Sequence, residues 1–596
     1  MQYTGARILI EALIEQGVDT VFGYPGGAVL FIYDELFKQK DRIRHILVSH
    51  EQHAAHAADG YARSSGKTGV CIATSGPGAT NLVTGIATAA MDSVPLVAIT
   101  GNVATGILGK DSFQEVDIAG ITMPIVKHNW IVKEVNALAE TVREAFMVAQ
   151  SGRPGPVLID IPKDITSRLG EWIPLKSNGK GPVKHIESIS ADTLVSGIIP
   201  EEELLGARAR RLAERNRRPT FSDEDIGHAV SLFKAAKRPV IYAGGGVVIS
   251  DAGNELTALA ERLNAPVALS LMGVGALSRE HRLYTGLIGM HGTVASNKAV
   301  QKADLLVAVG ARFSDRVTSR ADDFAKGAKV LHLDIDPAEV NKNVAAHAWV
   351  VGDIKKIIVK LLKALPKQMN NEWGEDIEKW KGKVPEGYYP ANHSGGSTLH
   401  PRFILEESAK RLGPDALVAT DVGQHQIWTA QFYPFTRSRS FITSGGLGTM
   451  GFGLGAAIGA KIANPKRPVV LFTGDGSFRM NCGELATLTN YRLPILIVII
   501  NNRVLGMVRQ WQNLFYEERY SETTLDRPPD FVKLAEAYGL RGYGAENAKT
   551  FVEALDLAMK DIAGGSPALL DAHISPDEKV LPMVPGGKPI DEQILI

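Results

Sequence analysis

Cysteine is almost missing from this chain: its 596 residues include only Cys71 and Cys482. Two thiols exclude a disulfide framework and a cysteine-rich metal site, and their apolar neighbours fit buried thiols in a reducing compartment. Net charge is missing as well, because 65 basic and 65 acidic side chains cancel. That balance excludes the broad positive field that nucleic acid or an anionic membrane surface needs. No stretch comes near the roughly 18 uninterrupted apolar residues of a membrane span. Met1 to Ile10 carry neither a basic-then-apolar leader nor an Arg/Ser-rich one, so no signal or transit peptide is expected and the expected location is cytoplasmic. Small molecules and other protein chains remain as partners, with no nucleic acid and no membrane.

What the chain has in plenty is length and glycine. Its length predicts two to four domains, and its 60 glycines predict tight turns or close backbone approaches to ligands. From Thr4 to about Ile165, apolar runs such as HILVS (45–49), GVCIAT (69–74) and PLVAIT (95–100) alternate with helical stretches, the pattern of a parallel sheet with crossover helices. A second block, from about Phe221, repeats strand, glycine turn and helix in RPVIYAGGGV (238–247), ADLLVAVGARF (303–313) and KVLHLDID (329–336). A third runs from about Thr398 to Ser575. The predicted architecture is α/β, with three doubly wound parallel-sheet domains at 1–166, 221–369 and 398–575. Between them lie an extended linker or insertion at 167–220 and a polar linker at 370–397, and a C-terminal tail follows at 576–596. Within the first of these connections, GARARRLAERNRRP (206–219) is a strongly basic run that reads as a solvated helical face, or less readily as a binding surface.

The first and third blocks resemble two copies of one fold. Shifting residues 51–103 forward by 399 positions aligns Ala57, Ala58, Gly60, Lys67, Val70, Thr74, Ala87, Thr88, Pro95 and Asn102 with identical residues. Chance gives about three or four such identities at ordinary composition. A shared α/β grammar of strand, glycine turn, Ala-rich helix, proline and strand is the alternative. The copies differ where chemistry is at stake: Glu51 pairs with Met450, Gly76 with Asp475 and Val103 with Asn502. Carboxylates and amides in one copy only are what a divided site needs.

The densest motif is VVLFTGDGSFRMNCGELATLTNYRLPILIVIINNRVLGM (469–507). Two apolar strands end in Gly474-Asp475-Gly476-Ser477 and in Asn501-Asn502. Ligands of open parallel sheets bind beyond the carboxyl ends of strands, so Asp475 and Asn502 are expected side by side there. One carboxylate oxygen and one amide oxygen suit an octahedral Mg²⁺ that a diphosphate and water complete. The glycines let backbone N–H groups approach phosphate at the start of the next helix.

GDG, then 25 residues, then Asn is similar to the motif of thiamine-diphosphate enzymes. That resemblance implies that Asp475, Asn502 and the carbonyl of Val504 hold Mg²⁺, with Gly423, Gln424, His425, Gly448, Gly474, Gly476 and Ser477 near the diphosphate or the rest of the cofactor. It implies further that Glu51, in VSHEQHAAHAADGYAR (48–63), polarises the cofactor's aminopyrimidine, and that Met450 props the cofactor into a V shape. The first block then binds the pyrimidine and the third the diphosphate, each site lying between two subunits of a homodimer or homotetramer.

Around this core, GYPGGAVLFIYDEL (23–36), SGPGATN (75–81), FQEVD (113–117), GRPGPVLIDIPKD (152–164), GMHG (289–292), GARFSDRVT (310–318), GMVRQWQNLFYEERYSE (506–522) and VLPMVPGG (580–587) resemble acetohydroxyacid synthase. The likeness covers all three blocks and skips 167–220. It implies decarboxylation of pyruvate and transfer of the two-carbon unit to a second pyruvate or to 2-oxobutanoate, on the way to valine, leucine and isoleucine. By that likeness Gly27, Gln114 and Lys163 serve the reacting centre, while Phe113, Met507 and Trp511 contact substrate. FAD falls to Arg153, Gly244, Gly245, Gly246, Met272, His291, Arg312, Asp315, Arg316, Asp334 and Asp353, as a structural group without net redox change. A separate regulatory small subunit is a further implied partner. The long 167–220 segment, Ser314 in place of an acidic residue and Gly455 in place of proline depart from the family pattern. Another thiamine-diphosphate oxo-acid enzyme, a pyruvate oxidase or decarboxylase, and a catalytically silent assembly partner are the competing readings.

Overall fold

The computed structural model describes residues 1–175, 221–369, 371–373, 375–381 and 399–595. The basic run at 206–219, with most of the 167–220 segment, lies outside the described residues, as does most of the 370–397 stretch.

A short strand β1 (Gln2–Thr4) opens the chain. The first sheet follows, with β2 (Thr20–Gly23), β3 (Arg44–Leu47), β4 (Gly69–Ala73), β5 (Leu96–Asn102), β6 (Asn129–Ile131) and β7 (Pro156–Pro162), and β1 pairs antiparallel with β8 (Leu169–Glu171). The second sheet holds β9 (Pro239–Ala243), β10 (Val267–Leu269), β11 (Tyr284–Leu287), β12 (Leu305–Val309), β13 (Lys329–Asp334) and β14 (Ala348–Val351). The third holds β15 (Leu417–Thr420), β16 (Phe441–Ile442), β17 (Val469–Gly474), β18 (Ile495–Asn501), β19 (Arg541–Ala545) and β20 (Ala568–His573). Each of the three is six-stranded and parallel throughout. Runs such as VVLF and ILIVI are apolar at every position because helices cover both faces of a parallel sheet, and they are buried throughout.

Strand order confirms the doubly wound reading and separates the sheets into two kinds. The middle sheet runs β11-β10-β9-β12-β13-β14, the order 3-2-1-4-5-6 of dinucleotide-binding folds. The outer two share a different order, β3-β2-β4-β5-β7-β6 and β16-β15-β17-β18-β20-β19, which is 2-1-3-4-6-5 in both. The 399-residue shift carries β5 onto the bounds of β18, Ile495–Asn501. Common topology and common register make the two copies one fold.

By its contacts the chain divides into two units. One contains the first sheet together with Gly446–Pro465 and Asn481–Tyr491, and the other contains the second and third sheets. In the first unit, helix α1 (Glu51–Ser65) packs on helix α2 (Gly453–Ala463) at backbone distance. A Cβ on Gly60 would run into the Ala456 carbonyl, and one on Gly459 into the Ala57 carbonyl, so the glycines shared by both copies are what the crossing requires. Arg63 closes the same contact: it is ion-paired with Asp59 and, at 3.0 Å, with Asp92, and it lies over the Phe452 ring. In the second unit, Trp373 and Ile377 from the start of the expected linker are buried in the core of the middle sheet, and the Trp373 indole donates to the Pro239 carbonyl at 2.8 Å.

Of the two thiols expected to be buried, Cys71 is buried in β4, but Cys482 is only half-buried. It opens the 3₁₀ turn Cys482–Glu484 rather than continuing a strand, so its side chain reaches the edge of the packed layer.

Candidate functional site

At the carboxyl edge of the third sheet, β17 and β18 end side by side, with Gly474 opposite Ile500. Asp475 and Asn502 therefore leave neighbouring strands at nearly the same level, as expected from the motif. Asp475 is the first residue of a short helix, is 1% exposed, and its Oδ2 has no hydrogen-bond partner. Burial pushes its carboxyl up to about 6. A buried, half-satisfied carboxylate is costly unless a cation completes it. Asn502 donates from Nδ2 to Gln424 Oε1 at 3.0 Å, and its Oδ1 accepts the Val504 N–H at 3.2 Å. Gln424 in turn donates to Gln510 Oε1 and to the Glu578 carbonyl. Gly506 lets these amides meet, since a Cβ there would collide with Gln424 Oε1 and approach Asn502 Nδ2.

Gly423, with φ 153°, turns β15 into the helix Gln424–Phe432, and His425 in its first turn is buried with Nε2 unpartnered. Burial holds that imidazole down at about 3, so it is neutral. A Cβ on Gly474 would reach His425 Nδ1 within 2.9 Å, and Ser477 donates its hydroxyl to the Val422 carbonyl at 2.9 Å. Gly476 sits in the Asp475 helix. The structure thus gathers Gly423, Gln424, His425, Gly474, Asp475, Gly476, Ser477, Asn502 and Val504 at one sheet edge.

Glu51 begins α1 and is 9% exposed. Its Oε2 accepts the Asn81 amide at 2.9 Å, while Oε1 lies over Gly78, where a Cβ would stand 3.1 Å away, and has no partner among the described residues. SGPGATN thus supplies both the amide that holds one oxygen and the bare glycine beneath the other. Gly448 and Met450 belong to the turn that leads into α2, in the same unit. This turn is anchored by the Gly446 N–H on Asp92 and by a 2.7 Å bond between Thr449 and Thr88.

Gly27 lies exposed between β2 and the helix Leu30–Lys38, with no atom near a would-be Cβ. Gln114 is exposed with φ 58°, next to Gly76, and Phe113 is 89% exposed. Lys163 is exposed at the end of β7. Arg153, in the same unit, donates from Nε to Ser93 Oγ at 2.8 Å. Trp511 is half-buried, edge-on to Phe515 and packed on Met290, Leu581 and Met583, while Met507 packs against the core of the third sheet.

The middle sheet collects the flavin candidates along its own carboxyl edge. Gly244 to Gly246 follow β9, Met272 follows β10, His291 follows β11, Arg312, Asp315 and Arg316 follow β12, Asp334 ends β13 and Asp353 follows β14. The glycines sit at the switch point between β9 and β12, where dinucleotides bind in this topology. Gly244 and Gly246 are also demanded by packing, because a Cβ on either would strike the Gly310–Ala311 backbone. Asp353 caps the helix Ile354–Ala364, and Asp334 accepts the Asp336 N–H at 2.9 Å. Burial holds the His291 imidazole down at about 4.

Sequence reasoning missed Gln510, 3% exposed, which joins Gln424 to the tail by bonds to the Val580 N–H and carbonyl. A polar residue on the buried side of the otherwise amphipathic helix Gly506–Phe515 is the signal that could have found it. It also missed Glu484, buried completely in the motif between Asp475 and Asn502.

Comparisons with known proteins bear on the family and its domains. Residues 3–121 match the N-terminal TPP binding domain of thiamine pyrophosphate enzymes, 226–361 their central domain and 421–572 their C-terminal TPP binding domain. The acetolactate synthase large subunit of Parasynechococcus marenigrum is 45% identical over 592 residues, covering 98% of this chain and 90% of that protein. The chain belongs to the acetolactate synthase family. Two other members bear this out: the acetolactate synthase of Mycobacterium bovis is 45% identical over 601 residues, with 99% and 91% covered, and the large subunit of Porphyra purpurea is 44% identical over 595, with 98% and 94% covered. The three matched domains fall on the three sheets described above, and the two outer ones are thiamine-diphosphate-binding domains. Among the described residues, no helix is long and apolar enough to cross a membrane.

Proposed function

We propose that this enzyme is an acetohydroxyacid synthase: it releases CO₂ from pyruvate and joins the remaining two carbons to a second pyruvate, giving 2-acetolactate, or to 2-oxobutanoate, giving 2-aceto-2-hydroxybutanoate. One carbon–carbon bond breaks and one forms, so no external oxidant or reductant is needed. Near full-length likeness to acetolactate synthases carries the reading.

Thiamine diphosphate supplies the electron sink that lets a 2-oxo acid lose CO₂. This chain's residues hold, aim and shield. Asp475, Asn502 and the Val504 carbonyl are the Mg²⁺ ligands, and the unpartnered Asp475 Oδ2 is what fits them to a cation. The N–H groups around Gly474–Ser477 and at Gly423–His425 receive the diphosphate. Glu51 holds and returns a proton at Oε1, while Asn81 fixes Oε2. Gly448 and Met450 support the pyrimidine. Gln114, Lys163 and the Gly27 backbone bind the carboxylate and carbonyl of substrate. Phe113 and Met507 line the approach, and Trp511 favours 2-oxobutanoate as acceptor. FAD takes the middle-sheet edge as a structural group, and Arg153 is a further residue assigned to it. The domain limits are 1–166, 221–369 and 398–575, with Trp373 and Ile377 beyond the second of these packed onto its core; the working form is a homodimer or homotetramer in the cytoplasm, and a regulatory small subunit is a partner.

The test is product analysis: purified protein with pyruvate, thiamine diphosphate, Mg²⁺ and FAD. Acetolactate is the expected product. Acetaldehyde or acetyl phosphate in its place would point to a decarboxylase or an oxidase, and no CO₂ release would leave an assembly role.

A further inference from the structure

The segment that delivers Glu51 is held from far along the chain. Glu484 is completely buried in the turn Cys482–Glu484. Its Oε1 accepts the Ser49 N–H at 2.9 Å and the His50 N–H at 3.1 Å, and lies 3.0 Å from His53 Nδ1. Its Oε2 accepts the Thr487 hydroxyl at 2.6 Å. Neighbouring bonds run the same way: the Leu47 N–H donates to the Tyr491 hydroxyl at 2.7 Å, and the Ser49 hydroxyl to the Gly483 carbonyl at 2.9 Å. Residues 47, 49, 50 and 53 are thus fastened to 483–491. Glu51, among them, bonds instead to Asn81.

The two N–H groups that Glu484 takes stand just ahead of the first helical turn, where a helix supplies no partner. His50 is the N-cap of α1, and its own Nδ1 accepts the Gln52 N–H at 3.1 Å. A single carboxylate oxygen that receives both peptide N–H groups fixes the backbone at 49–50, and with it the direction in which the Glu51 side chain leaves the helix start. Two peptide N–H groups need an acceptor oxygen at that reach, which an amide offers as well as a carboxylate.

We propose that Glu484 is a positioning residue for Glu51, setting the 49–50 backbone so that Glu51 Oε1 is aimed at the group with which it exchanges a proton. The inference rests on the reading of Glu51 given above. Two substitutions separate reach from charge. Glu484→Asp keeps the charge and shortens the arm by one methylene, and Glu484→Gln keeps the arm and removes the charge. Two readouts apply to the full chain: amide hydrogen exchange across residues 47–53 without cofactor, and, with saturating thiamine diphosphate and Mg²⁺ but no oxo acid, the rate at which the thiazolium C2 proton exchanges for deuterium. Glu51→Gln serves as reference. Glu484→Asp loses amide protection at 49–50 and slows C2 exchange about 10- to 100-fold, the usual cost of a lost supporting contact, while Glu484→Gln stays within about threefold of the parent. C2 exchange in Glu484→Asp as fast as in the parent, beside a slow Glu51→Gln, overturns this inference alone, as does a Gln variant as slow as the Asp variant. Equal rates in the parent and Glu51→Gln overturn the reading of Glu51, and this inference with it.

Discussion

The first and third sheets are built alike and equipped differently. Both follow the order 2-1-3-4-6-5, and both close the same buried clasp, an asparagine at the end of the fourth strand bonded to an aspartate on the sixth: Asn102 to Asp160 at 2.6 Å and Asn501 to Asp571 at 2.9 Å. At the exits of the second and third strands they part. The first copy has Glu51 where the third has Met450, and Gly76, with φ 60°, where the third has Asp475. The carboxylates differ in state as well. Glu51 arrives already held, by Asn81 on one oxygen and by a Glu484-bound backbone behind it. Asp475 and His425 are buried with atoms unsatisfied. The two copies share a scaffold and differ in their polar groups: Glu51 has one oxygen held by Asn81 and the other open, while Asp475 and His425 each bury an atom with no partner.

The sharpest break in this comparison is at Glu51, the carboxyl proposed to exchange a proton. Glu51→Gln is expected to lower acetolactate turnover by about 10²- to 10⁴-fold, the range for loss of a positioned proton-transfer group. The assay is steady-state product formation at saturating cofactor. Next is the shared helix crossing. Gly60→Ala forces a methyl onto the Ala456 carbonyl and should cost about 1–3 kcal/mol or more of stability, read from thermal or urea unfolding. Gly27→Ala, which meets nothing, should leave stability unchanged. The clasp sharpens the likeness: Asn102→Ala and Asn501→Ala each leave a buried aspartate short of a donor and should cost similar amounts, about 1–3 kcal/mol, with unequal losses speaking against equivalent roles. Smallest is a control outside both copies, Lys379→Ala, whose partner Glu375 is 3.5 Å away on the surface, with an expected change below about 1 kcal/mol.

Much of this was legible in the sequence because it is local. Apolar runs such as ILIVII, closed by Asn-Asn, read directly as buried parallel strands, and the structure has such a strand ending at Asn501. The 399-residue shift announced the shared topology, since identities at Gly60 and Gly459 record one helix crossing seen from both sides. Bonds between distant segments were not legible. No periodicity links Glu484 to Ser49, 435 residues away, or Gln510 to Val580. Cys482 reads as core from its neighbours and is half-exposed because a turn intervenes. Gly244 and Gly246 read as a nucleotide turn, and the backbone contact with Gly310 gives them a second reason to be glycine.

The most direct test of the divided scaffold is a binding titration of thiamine diphosphate with and without Mg²⁺, by tryptophan fluorescence, in the parent, Asp475→Asn and Glu51→Gln proteins. The account predicts a Kd that Mg²⁺ tightens in the parent and in Glu51→Gln alike. It predicts that Asp475→Asn binds about 10- to 100-fold more weakly and has lost most of the Mg²⁺ effect. Mg²⁺-dependent binding that survives in Asp475→Asn, or that disappears in Glu51→Gln, would contradict it.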